Sequence, residues 1–253
     1  MSTCRIEYVR NRDGTQGKTL SAYTGCLHGL DICATSPTCW ARIGSGRFPK
    51  TCGGDFKSRF HQDRLFAFLN HRYRKPQMVA VSFMGDLFGD WETAEWWDEA
   101  GDTGEVKPMA DVRKHILAVV RERPQDTFLF LTKRPENLAQ YNPWPDNAWV
   151  GVSAWDDGSA LHAANIMIED VDAKVKWLSL EPLLGHVDAS TWIFKAFSWL
   201  VIGAQTGQGA VKPEYDWWEE LEYEAGERSI PVWLKNNLLA QFPELPRRQE
   251  LPA

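Results

Sequence analysis

The sequence predicts an α/β fold built on a parallel sheet, and three observations lead there. Short, almost continuous apolar runs recur along the chain, as in strands buried on both faces. Amphipathic helical stretches lie between them, and the alternation repeats six or seven times, the pattern of successive strand–helix–strand units. The 253 residues suffice for one large α/β domain. Periodicity alone leaves a barrel-like sheet and an open doubly wound sheet as equal alternatives.

The strands are expected at residues 21–24, 78–83, 127–132, 148–153, 175–180, 199–202 and 231–234. The first helix is expected over 56–73, where Leu65, Phe68 and Leu69 stand at helical spacing among arginines. Over 108–120, Met109, Val112, Ile116, Val119 and Val120 form one apolar stripe, a clear amphipathic helix. Helices are also expected over 135–141, 158–170 and 215–225. Pro135 suits a first helical turn, where the missing N–H has no intrahelical acceptor to lose. Residues 86–107 are acidic and rich in Trp and read as an insertion or lid between a strand and its helix. Residues 1–242 form a single domain on this reading, and 243–253 an extended tail.

Hydrophobic residues make up 43% of the chain, enough for a sizeable core. The net charge is −6, which opposes loose binding to nucleic acid. Its distribution says something else. Residues 1–75 hold 13 Lys and Arg against 5 Asp and Glu, a balance of +8, and the remainder stands at −14. Such asymmetry marks a candidate polyanion-facing surface. The N-terminus lacks the apolar core of a signal peptide, no apolar run is long enough for a membrane helix, and five Cys is an odd number. A cytoplasmic protein without a disulfide framework is expected.

Cys26, Cys33 and Cys39 fall in one segment, TGCLHGLDICATSPTCWAR, directly after the first expected strand. Three thiols this close in a reducing compartment point to a metal, and three ligands instead of four leave one position open for chemistry. Zinc is the alternative metal, with His28 or Cys52 as fourth ligand. Otherwise His28 and His61 read as ordinary loop and helix-surface residues. Polar groups that follow apolar strands would face a shared cavity in a β/α barrel, where the loops after the strands converge. Asp86, Lys133, Arg134, Ser153, Asp156, Glu181 and Thr206 stand at such positions.

The cysteine segment resembles the cluster loop of the radical S-adenosylmethionine (SAM) enzymes, in the longer-spaced form of an uncharacterised phage-associated family. TGC at 24–26 and the six-residue gap to Cys33 match that form, and Trp40–Ala41 stands where Tyr–Ala is usual. The five residues between Cys33 and Cys39 depart from the usual two. The similarity continues through SFMGDLFGDW (82–91), FLTKRPENL (130–138), NAWVGVSAWD (147–156), WLSLEPLLG (177–185), WLVIGAQTGQGA (199–210) and IPVWLK (230–235).

The resemblance implies a partial (β/α)6–7 barrel of the radical SAM type, with the cluster loop at 24–41. It implies a [4Fe-4S] cluster on Cys26, Cys33 and Cys39, SAM as cofactor, and an electron donor such as a flavodoxin or ferredoxin. Gly85 and Asp86 would meet the amino group of SAM, and Lys133 or Arg134 its carboxylate. Ser153 and Asp156 would hold the ribose, Gly203 would admit the adenine, and Glu181 and Thr206 would line the same mouth. The substrate would be a nucleic acid, a nucleotide or another anion. The competing expectation is a non-catalytic module, with structural zinc or iron–sulfur and a basic helix over 56–74 that binds nucleic acid.

Overall fold

The computed structural model describes residues 3–29, 33, 39–98, 100–188, 191–244 and 247–253. The chain divides into two compact units, Met1–Asn137 with Pro145–Ala148, and Leu138–Trp144 with Trp149–Ala253. No helix among the described residues is long and apolar enough to cross a membrane.

The first unit runs β1 (Lys18–Leu20), β2 (Tyr23–Thr24), α1 (Trp40–Arg47), α2 (Pro49–Cys52), β3 (Arg59–His61), α3 (Gln62–Asn70), β4 (Met78–Val81), β5 (Thr93–Asp98), β6 (Gly101–Pro108), α4 (Met109–Glu122) and β7 (Thr127–Thr132). Strands β1, β4 and β7 pair in parallel, with Leu20 opposite Val81 and Val79 opposite Phe128. All four residues of β4 are buried, which is why its sequence, MVAV, shows no polar alternation. Helix α4 buries Met109, Val112, Ile116 and Val120, the expected stripe.

A second sheet has the order β2–β3–β5–β6. The segment expected as an insertion or lid supplies its antiparallel hairpin, β5 and β6, and β5 runs parallel to β3. The helix expected over 56–73 is confined to α3. Before it, Phe56 takes a left-handed φ of 59° and Arg59–His61 form a strand. The arginines suggested a solvated helix face, but Arg59 is buried, with Nε 3.0 Å from Glu95 and its guanidinium 5.0 Å from the Trp97 ring centre. That sheet accounts for the misreading.

The second unit contains β8 (Ala148–Ala154, all but its first residue), α5 (Asp157–Glu169), β9 (Val175–Leu180), α6 (Thr191–Ala196), β10 (Trp199–Ile202), α7 (Asp216–Glu227), β11 (Val232–Leu234) and α8 (Asn236–Leu239). Four parallel strands follow in the order β8–β9–β10–β11. Residues 135–141, expected as a helix, form two short 3-10 turns, Pro135–Asn137 and Ala139–Tyr141. The tail is extended and fastened: Glu250 N donates to Val232 O at 3.0 Å, and Trp199 Nε1 to Glu250 O at 3.0 Å. The expected α/β architecture with parallel strands is therefore present, with β1, β4 and β7 parallel in one unit and β8, β9, β10 and β11 in the other.

Tryptophan packing sets the spacing of the second unit. The Trp177 and Trp199 rings lie 5.2 Å apart, Trp149 and Trp199 5.7 Å, and Trp177 Nε1 donates to Trp149 O at 3.2 Å. Gly151 on β8 makes room, since a Cβ there would lie 2.1 Å from Trp177 Cε2. A Gly151→Ala variant is therefore overpacked and should lose about 1–3 kcal/mol of stability. Urea unfolding followed by tryptophan fluorescence checks this, and an unchanged midpoint would contradict it.

Candidate functional site

In the first unit the polar groups after β4 and β7 converge on Asp86. This carboxylate is buried. Its Oδ1 accepts from Thr132 Oγ1 at 2.7 Å and from Phe88 N at 3.1 Å. Its Oδ2 accepts from Lys133 N at 2.8 Å and lies 2.9 Å from His28 Nε2. Burial pushes the carboxyl up, but the His28 bond and charge and the Lys133 and Thr132 bonds outweigh it, and the group is held below its ordinary value. A carboxylate has room for about four such bonds. The protein itself occupies all of them.

The three residues of the TGC motif have structural tasks here. Thr24 Oγ1 lies 2.8 Å from Nε2 of the buried His61, whose pKa is lowered to about 3 by burial and by the Arg64 and Arg59 charges. Gly25, at φ 99°, threads between two backbones: a Cβ on it would lie 1.8 Å from Lys57 O, and one on Gly85 would lie 2.2 Å from Gly25 O. Cys26 N donates to Phe56 O at 3.1 Å. The loop after Asp86 is pinned as well. Arg113 donates to Leu87 O at 2.8 Å and Gly89 O at 2.7 Å, and Arg134 pairs with Asp90.

In the second unit the ends of β9 and β11 carry opposite charges. Lys235 Nζ donates to Glu181 Oε1. Gly203, at the end of the intervening β10, lies under this pair: a Cβ would meet Lys235 Cδ at 2.9 Å and Glu181 Cγ at 3.0 Å. Asn237 Nδ2 holds Ala204 O at 2.7 Å beside it. Asp156 caps α5, its Oδ1 accepting from Ser159 N at 2.9 Å, with Ser159 Oγ returning to Asp156 N at 3.1 Å. Ser153 is half-buried on β8, and Thr206 is exposed in the loop after β10.

One family model, described as a protein of unknown function (DUF5131), matches residues 5–238. The chain belongs to that family. The match corrects the expected placement among phage-associated radical SAM-like proteins. No curated protein and no solved structure matches the chain.

The expected cofactors are corrected too. Among the described residues no three Cys, His, Asp or Glu side chains group so as to hold a metal ion. Residues 30–32 and 34–38 of the expected cluster loop lie outside the described residues. The Cys26 thiol is pushed up to about 12 by burial, with Asp86, Cys33 and Cys39 adding to the effect. Cys52 is likewise raised by burial, and no disulfide joins cysteines among the described residues. Several residues expected to meet SAM have partners within the protein. Asp86 takes its four contacts from His28, Phe88, Thr132 and Lys133, Arg134 is paired with Asp90, and the stems of Lys235 and Glu181 lie against Gly203.

Sequence reasoning missed His28, which is buried against Asp86 with its ring 5.2 Å from Trp91, and His61, which is buried instead of lying on a helix surface. Lys235 had a signal, because it ends its strand as Glu181 does, with the opposite charge.

The Asp86 network makes a prediction with a defined pH sense. Asp86→Asn should cost about 3 kcal/mol at neutral pH, because buried donors lose a charged acceptor. A folded-state pKa below the ordinary value of 3.8 means this stability is present above 3.8 and is lost as pH falls through the folded value. The gap in unfolding free energy between wild type and variant should therefore be full at neutral pH and shrink below 3.8. A gap independent of pH would contradict it.

Proposed function

We propose that the protein binds nucleic acid through the basic surface of its first unit. The observation that supports this reading best is a set of six arginines: Arg5, Arg12, Arg42, Arg47, Arg72 and Arg74. All six are exposed, and none has a carboxylate partner among the described residues. The surface lysines nearby differ, Lys75 lying 2.8 Å from Asp13 and Lys57 3.5 Å from Asp55. An unpaired guanidinium keeps its full field and its fork of donors, which suit phosphate oxygens. The overall −6 does not oppose this, because the acidic excess lies beyond residue 75.

A second reading adds chemistry to the same unit. It is favoured by the His28–Asp86 pair, a buried carboxylate kept ionised beside an imidazole, which is an arrangement suited to moving a proton. Mass spectrometry of nucleic acid incubated with the protein tests it. Product formed by wild type and not by His28→Gln supports it, and unaltered nucleic acid counts against it.

Binding itself is tested by fluorescence anisotropy with labelled oligonucleotides over a range of salt. Affinity should fall with salt with a log–log slope of magnitude about 3–5, as phosphate contacts release counterions. The double variant Arg72→Ser and Arg74→Ser should reduce that slope by about 1.5–2. Affinity that ignores salt, or no binding at low salt, would contradict the reading.

A further inference from the structure

We propose that the exposed face of α1 is a stacking platform for single-stranded nucleic acid. This rests on the nucleic-acid reading above and names the substrate class of that surface. Helix α1 is inverted relative to an ordinary surface helix. Its small residues face inward, Ala41 at 4% and Ser45 at 0% exposure, and its large apolar residues face solvent, Trp40 at 62% and Ile43 at 46%. Phe48, directly after the helix, is 63% exposed. A folding chain gains from the opposite arrangement, because burying Trp and Ile removes more apolar area from water than burying Ala and Ser. The inversion marks a face that a ligand covers.

The spacing and charge of this face identify the ligand. Trp40, Ile43 and Arg47 follow at intervals of three and four, so they share one side of the helix and extend about 10 Å along it. Arg47 lies on this exposed side without a carboxylate partner among the described residues. An exposed ring beside a guanidinium with no carboxylate partner suits a single strand, since its bases stack on aromatic faces while its phosphates meet the cation. A duplex hides its base faces and offers phosphate alone. A second copy of the chain would set the same arginines against one another, which like charge opposes.

The test compares a labelled oligothymidine with a duplex of the same length, using anisotropy against salt for wild type, Trp40→Ala, Trp40→Phe and Arg47→Ala. Trp40 is a surface residue, so unchanged melting temperatures will show that the variants fold. The single strand should bind about tenfold or more tighter than the duplex. Trp40→Ala should weaken it about 10- to 100-fold with the salt slope unchanged, and Trp40→Phe should keep most of the affinity. Arg47→Ala should instead lower the slope magnitude by about 0.7. Single-strand affinity unaffected by Trp40→Ala, or equal affinity for the duplex, would overturn the platform and leave the broader nucleic-acid reading standing. Failure of both nucleic acids to bind would overturn both. A dimer in sedimentation that Trp40→Ala dissociates would also overturn the platform, because the face would then belong to a protein contact.

Discussion

The first unit depends on one buried carboxylate. Asp86 receives a hydroxyl and an amide from the end of β7, an amide from its own loop, and an imidazole from the segment that follows β2. Each donor would be costly to bury alone, and so would the charge. Together they satisfy one another, and three stretches distant in sequence are fixed to one point. The glycines follow from this. With the 24–28 segment drawn in against the loop after β4, the backbones at Gly25 and Gly85 approach too closely for a Cβ. Thr24 and Gly25 of the TGC motif are thus accounted for by hydrogen bonding and packing.

The second unit uses a different device at its strand ends. Lys235 and Glu181 reach toward each other across the end of β10, and the absence of a side chain at Gly203 lets their stems cross. Below them the core is set by large rings, with Trp177 seated against Gly151 and Trp199. Trp177, Trp199 and Trp218 are among the largest fully buried side chains of the described residues.

Legibility followed burial. Strands buried on both faces announce themselves as apolar runs, and the limits of β7, β9 and β10 agree with those expected from sequence. β3 was hidden because Arg59 owes its burial to Glu95 and Trp97, partners that lie more than thirty residues along the chain. His28 was hidden for the same reason, since nothing local marks it as the partner of Asp86. Of the polar residues expected at strand ends, Lys133 and Glu181 directly follow β7 and β9, whereas Ser153 lies within β8. Their tasks were not legible, because a carboxylate that binds a ligand and one saturated by the protein differ only in long-range contacts. The inverted face of α1 was equally invisible, since the periodicity of Trp40 and Ile43 does not say which side of the helix meets the core.

The central claim, that Asp86 ties the first unit together, is tested most directly by native-state hydrogen exchange at the Phe88 and Lys133 amides. Both donate to the Asp86 carboxylate. They should exchange slowly in the wild-type protein and at similar rates, since one opening event releases both. In Asp86→Asn both should become fast while amides in the middle of β4 stay protected. Fast exchange at Phe88 and Lys133 in the wild-type protein, or slow exchange that survives the substitution, would contradict the account.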